Sequence, residues 1–335
     1  MKKVPLKHVA LDPRLQSINT MNQQKKKSFW EDTRIPNTEH PKPTIAQSSF
    51  VSKRRLTEDI IARINELPSL PTVVLKIMEL IQDDTSSASA IEKYLRQDPG
   101  LTARLLRLVN SSFFGLRHKV ASIPQAIMIV GYSSLKSLVL AASTSPLFKG
   151  AFPGYGLKTA GLWQHSFLTA AWAQKFAKEL GWAYEDAEEV FVAGLLHDIG
   201  KMIMSTYINE HCQEMYTALF MANGQLTAAE KTLTGIDHTE IGGRIAKKWN
   251  FSEKLEFIIK AHHDLSVSSI SEKEVSLIQL VNNIVTKTGF GMYENFPLNN
   301  NLPELCLKTL EISPDTIEEL QRKVISQGEI TASEL

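Results

Sequence analysis

The chain has little cysteine, no long uncharged apolar run and no alternating apolar pattern, and each absence closes off a class of protein. Its two cysteines, Cys212 and Cys306, lie far apart with no CxxC, which excludes a disulfide framework and a zinc ribbon. A reducing cytoplasm is then the simplest compartment. No run of about 18 uncharged apolar residues exists, so no transmembrane segment is expected. Met1-Lys2-Lys3-Val4-Pro5 is basic, but no apolar stretch follows it, unlike a secretory signal. Nothing alternates with period two between strand-type turns, so the expected fold is all-α.

What is present is a globular composition, 43% apolar and 22% charged over 335 residues, a length that fits about two domains. The net charge of +1 conceals a split, because residues 1–55 hold twelve Lys/Arg against four Asp/Glu. That is +8, which leaves −7 on the remainder. Residues 1–52 carry Pro5, Pro13, Pro36, Pro41 and Pro43 with few periodic apolar residues, and they read as a disordered basic arm. A solvated tail is its simplest role. Contact with nucleic acid or a membrane surface is the alternative, which scattered lysines without interleaved aromatics support weakly.

Residues 53–150 read as a smaller helical block. Leu56, Ile60, Ile61, Ile64 and Leu67 recur at helical spacing, Pro68 and Pro71 break the run, and Val73 to Ile81 resumes it. Ser89–Leu95 and Leu101–Val109 flank Asp98-Pro99-Gly100, and residues 123–148 form an apolar helix pair hinged near Gly131. A second block, 151–289, is expected to be a multi-helix bundle. Its helices fall over Leu162–Leu180, Glu185–Tyr207, Cys212–Asn223, Ala228–Leu233, His238–Trp249, Ser252–His262 and Glu274–Thr286. Residues 290–335 read as a loop and short helices, and Lys247-Lys248 as a solvated face.

Of nine histidines six fall in the second block, and five of these, His165, His197, His238, His262 and His263, carry the candidate chemistry. One sits in Ala193-Gly194-Leu195-Leu196-His197-Asp198-Ile199-Gly200-Lys201. Neighbouring His and Asp on a helix diverge by about 100°, so both can reach one metal cluster, with Lys201 a turn beyond. A carboxylate can bridge two cations, and imidazole suits zinc, iron, nickel or manganese. Gly200 would let backbone or ligand approach closely. Each feature alone has a plain structural reading: a core histidine, Asp237 as an N-cap, or His262-His263 at a helix C-terminus.

Together, His165, His197-Asp198 with Ile199-Gly200-Lys201, His238 before Ile241-Gly242, and His262-His263 resemble the HD superfamily of metal-dependent phosphohydrolases. Leu67-Pro68-Ser69-Leu70-Pro71, Gln97-Asp98-Pro99-Gly100, Asn110-Ser111-Ser112-Phe113-Phe114-Gly115 and Ser122-Ile123-Pro124-Gln125 resemble its HDOD branch. The resemblance covers about residues 56–285. It implies an HD-type bundle with one or two divalent transition ions (iron, manganese, nickel or zinc). His165, His197 and Asp198 would be metal ligands, Asp198 would bridge, and His238, His262 and His263 would complete a second-metal set as in HD-GYP relatives. Lys201 would face phosphate.

Two positions depart from the pattern. Asn282 stands where the superfamily has a late Asp, and it would be a weak, uncharged ligand. No Gly-Tyr-Pro follows the histidine pair, where His262-His263-Asp264-Leu265-Ser266 stands instead. The implied function is a bacterial HDOD-type signal transduction or regulatory protein with a partly retained metal site, binding a protein partner or a small nucleotide-type ligand. The alternative is a metal-dependent phosphohydrolase acting on a nucleotide or phosphodiester, with Asp198 and Lys201 catalytic.

Overall fold

A computed structural model describes residues 48–82, 86–265, 271–290, 298, 302 and 304–334. The expected basic arm lies outside the described residues up to position 47, as does the loop around Asn299 to Asn301. Among the described residues there are fifteen α-helices and no strand, which is the all-α fold expected.

The first helices are α1 (Ser48–Glu66), α2 (Thr72–Gln82), α3 (Ala88–Leu95), α4 (Pro99–Val109) and α5 (Ile123–Thr144). Their starts are written in the sequence. Ser87, Asp98 and Ser122 are N-caps whose side chains accept backbone N–H groups, and Pro99 and Pro124 sit in first turns, where a missing N–H costs nothing. Asp98-Pro99 therefore begins a helix as well as following one. Asn110 pins the loop after α4: its Nδ2 donates to the carbonyls of Leu106 and Val120, and its Oδ1 accepts the Val120 N–H. Helix α5 turns by 117° at Gly131, whose φ of +78° favours glycine. Beyond the turn Leu135, Leu138, Val139 and Leu140 are buried. No single described helix is long and apolar enough to cross a membrane.

The remaining helices are α6 (Gly161–Glu179), α7 (Tyr184–Leu196), α8 (Ile199–Ile208), α9 (Cys212–Met221), α10 (Leu226–Thr234), α11 (His238–Lys248), α12 (Glu253–Ala261), α13 (Glu272–Thr288), α14 (Glu304–Leu310) and α15 (Pro314–Glu334). Helix α6 buries fifteen of its 19 residues, Trp163, Phe167 and Trp172 among them, so it is a central helix rather than a one-faced surface helix. It packs on α7 and α13, while α11 packs on α8 and α12.

Three expectations need correction. The run Glu185–Tyr207 is two helices, broken at His197-Asp198. The second C-terminal helix is not short; it spans 21 residues and packs on α6, α13 and the 3-10 turn Ser112–Phe114. Lys248 is no solvated lysine either. Its ammonium donates to the carbonyls of Ile64 (2.9 Å), Asn65 (2.6 Å) and Leu67 (2.6 Å), capping the C-terminus of α1. Trp249 Nε1 donates to Pro68 O, and Ile60 and Ile64 are buried, so α1 lies across α8, α10 and α11 of the second block.

Candidate metal centre

Five elements deliver side chains to one buried point. Helix α6 carries His165. Helix α7 ends at Leu196, His197 keeps helical angles (φ −53°, ψ −38°), Asp198 leaves them (φ −99°, ψ 9°), and α8 restarts at Ile199. Gly200 lets two backbones meet here: a Cβ on it would stand 1.9 Å from the His238 carbonyl oxygen. The backbone of α8 thus lies against the start of α11, which brings Asp198 and His238 together. His262 caps the C-terminus of α12 and His263 follows it.

Asp198 sits between two sets of imidazoles. Its Oδ2 is 3.5 Å from His165 Nε2 and 3.3 Å from His197 Nε2. Its Oδ1 is 3.3 Å from His238 Nε2 and 3.7 Å from His262 Nε2. The His165 and His197 Nε2 atoms are 3.3 Å apart, and those of His238 and His262 are 3.4 Å apart. These residues form two groups that could hold a metal ion, His165/His197/Asp198 and Asp198/His238/His262/His263. His165, His197, Asp198, His238 and His262 are all buried, and of the clustered histidines His263 is the exposed one.

The outer ring nitrogens are fixed by acceptors. His197 Nδ1 donates to Gly194 O and His262 Nδ1 to Ile259 O, each at 2.7 Å. A carbonyl can only accept, so Nδ1 carries a proton and Nε2 is the nitrogen that faces inward. His238 Nδ1 instead donates to Glu230 Oε2 at 2.7 Å, a buried carboxylate whose other oxygen accepts from Tyr155 OH, also at 2.7 Å. A carboxylate behind a ligating histidine fixes the ring and raises its basicity.

The electrostatics follow from burial and charge. Burial opposes ionisation of Asp198, but His197 and Lys201 outweigh it and hold the carboxyl well below the usual range. Burial pushes His165 down to about 3 and His262 down to about 4, so both are neutral at pH 7. Burial also disfavours the charged form of His238, yet Glu230 and Asp198 overcome it and raise the group to about 9. Burial, with Glu230 beside it, holds the Tyr155 phenol well above its ordinary value.

The donor set fits a divalent transition ion. Asp198 Oδ1 is buried without a hydrogen-bond partner, a costly state that a cation would relieve. The His165 and His197 Nε2 atoms also face each other at 3.3 Å, a spacing that a cation between them would suit. Ligands held at about 2.0–2.1 Å around a tetrahedral ion stand roughly 3.3 Å from one another, close to the separations seen.

Two expected site residues take particular positions. Lys201 is buried and its ammonium lies 2.6 Å from Asp198 Oδ2 and 5.7 Å above the Tyr155 ring. Asn282, buried on α13, hydrogen-bonds His165 and accepts from Thr286 Oγ1 at 3.2 Å. Sequence reasoning missed Glu230 and Tyr155. The available signal for Glu230 was its place four residues after Leu226, on the apolar stripe of α10.

The chain is similar to an uncharacterized protein of Treponema pallidum (strain Nichols), 26% identical over 211 residues, which are 63% of this chain. It spans about two fifths (40%) of that relative's length. A crystal structure from Shewanella amazonensis SB2B, provisionally described as a phosphohydrolase, is 24% identical with TM-score 0.63, over 82% of this chain and 97% of that one. Another from Marinobacter aquaeolei VT8, provisionally described as a signal transduction protein, is 16% identical with TM-score 0.64, over 85% and 66%. Likeness at these identities establishes the shared fold. The HDOD domain family model matches residues 67–265, more than half of the chain and the stretch that holds Asp198 and all five clustered histidines, and so the chain belongs to the HDOD domain family.

Proposed function

We propose that this is a bacterial, cytoplasmic HDOD-type regulatory protein that acts by binding a protein partner or a small nucleotide-type ligand and holds a divalent transition ion at Asp198. The observation that carries the metal reading is Asp198 Oδ1, buried without a hydrogen-bond partner among inward-facing imidazoles. His165, His197, His238, His262 and His263 would hold one or two ions (iron, manganese, nickel or zinc) with Asp198, and Asn282 would be a weak ligand. Bound there, an ion supplies Lewis acidity and lowers the pKa of water.

Three features favour regulation over turnover. The ligating groups are buried except for His263, which narrows access for a substrate. Asn282 is neutral where a carboxylate would add charge. Lys201, the residue expected to face phosphate, spends its ammonium on Asp198. The alternative, a metal-dependent phosphohydrolase of a nucleotide or phosphodiester with Asp198 and Lys201 catalytic, draws on that same lysine beside the cluster and on the description given to the Shewanella structure.

Metal analysis of the untagged full chain, followed by a panel of nucleotides and phosphodiesters, separates the two. The regulatory reading expects bound metal without turnover, and Asn282→Asp then raises hydrolysis above background. Wild-type turnover on the order of 1 per second or faster would establish the hydrolase instead.

A further inference from the structure

The charges on the two sides of Asp198 are unequal. On the Oδ2 side stand His165, His197, the neutral Asn282 and the Lys201 ammonium, 2.6 Å from the oxygen. On the Oδ1 side stand His238, His262 and His263, and this oxygen has no hydrogen-bond partner. Behind His238 lies Glu230, fully buried. Its Oε2 accepts both the ring Nδ1 and the backbone N–H of His238, while Tyr155 holds its Oε1. That carboxylate is fixed at both oxygens, so it cannot swing away from the imidazole.

We infer that the two halves of the centre take cations unequally. One divalent ion enters the half made by Asp198 Oδ1, His238, His262 and His263. Glu230 is a positioning residue that orients His238 and adds a second negative charge, and Lys201 stands in for a cation at Oδ2. This rests on the metal reading proposed above.

Three physical arguments carry it. An ion held by Oδ2 would share one oxygen with the Lys201 ammonium, in a buried setting where like charges are weakly screened, whereas on the Oδ1 side the Glu230 carboxylate behind His238 balances positive charge. The Oδ1 half offers three imidazoles against two, with the ring of His238 made more basic by its carboxylate. His263, the exposed histidine, gives that half the entry path a metal site needs.

The test uses the full chain, stripped by a chelator and titrated with Mn²⁺, with stoichiometry from calorimetry and elemental analysis and spin state from EPR. The wild type is expected to take one ion with the spectrum of isolated Mn²⁺. His165→Ala keeps that ion and His262→Ala loses it. Glu230→Gln, which preserves shape and a hydrogen bond but not charge, weakens binding about 10–100-fold. Circular dichroism melting of each metal-free variant separates lost affinity from lost fold. Lys201→Met moves the stoichiometry toward two and introduces a spin-coupled signal, which no loss of structure would do. A spin-coupled pair in the wild type, loss of the ion in His165→Ala with retention in His262→Ala, or unchanged affinity in Glu230→Gln would each overturn the inference and leave the metal reading standing. A wild type that takes no ion overturns both.

Discussion

Two buried carboxylates, Glu188 and Asp198, sit on the same stretch of chain and are treated oppositely. Glu188 Oε1 accepts from Ser134 Oγ and Gln174 Nε2, each at 2.8 Å, and Oε2 accepts from Ser137 Oγ at 2.7 Å. Those donors come from α5 and α6 and the carboxylate from α7, so the network pins three helices together. Asp198 has Lys201 on one oxygen and no hydrogen-bond partner on the other, though imidazole nitrogens crowd it. A buried charge satisfied by three hydrogen bonds, with the Lys178 ammonium 3.7 Å from Oε1, is a cross-link. A buried charge left bare among metal-type ligands is, on the proposed reading, a binding group. A third cluster, Asp186/Glu189/Glu274, is already neutralised by Lys254, 2.6 Å from Glu189 and 2.8 Å from Glu274, and belongs with the cross-links.

The comparison breaks most visibly in metal content. Asp198→Ala is expected to bring bound metal to near zero, while Glu188→Ala keeps full metal per folded chain by elemental analysis. In denaturant melts the order reverses. Glu188→Ala takes the acceptor away from three donors, of which Ser134 keeps Tyr184 as a partner, and should cost about 3 kcal/mol. Gly200→Ala drives a methyl into the His238 carbonyl and should cost about 2–3 kcal/mol, and it should disturb metal binding too because it separates α8 from α11. Lys254→Met, partly exposed, should cost about 1 kcal/mol or less and leave metal content alone.

The pH dependence sharpens the same contrast. His165 and His262 fall to about 3 and about 4 in the folded chain against an ordinary 6.5. Below 6.5 the unfolded chain takes up protons that the folded one refuses, so these two groups lower metal-free stability as pH falls from about 6.5 toward 4. His238, raised to about 9, works the other way: its contribution is full below 6.5 and fades as pH rises through about 9. A metal ion must displace that proton, so affinity should climb with pH until about 9. Urea melts and Mn²⁺ titrations between pH 4 and 9.5 check both signs.

The helical fold was legible because its apolar spacing, its Ser/Asp caps and its proline breaks are local. The histidine set was legible because His197-Asp198-Ile199-Gly200-Lys201 and the later histidines form one recognisable series. The break at His197-Asp198 was not. The apolar pattern runs through it, and what enforces it is a tertiary contact between Gly200 and the His238 carbonyl. Tyr155 was hidden for the same reason, since its partner Glu230 is remote in sequence, and Glu230 because it meets His238 from a different helix. Lys248 was misread because a lysine that caps another helix's carbonyls looks, in sequence, like any surface lysine.

On the proposed reading Asp198 anchors a bound metal ion. Elemental analysis of the untagged full chain beside Asp198→Ala tests it most directly. The account predicts stoichiometric transition metal in the wild type and near none in the folded variant. Metal absent from the wild type even after loading with Mn²⁺, Fe²⁺, Ni²⁺ or Zn²⁺, or equal metal in both proteins, would contradict it.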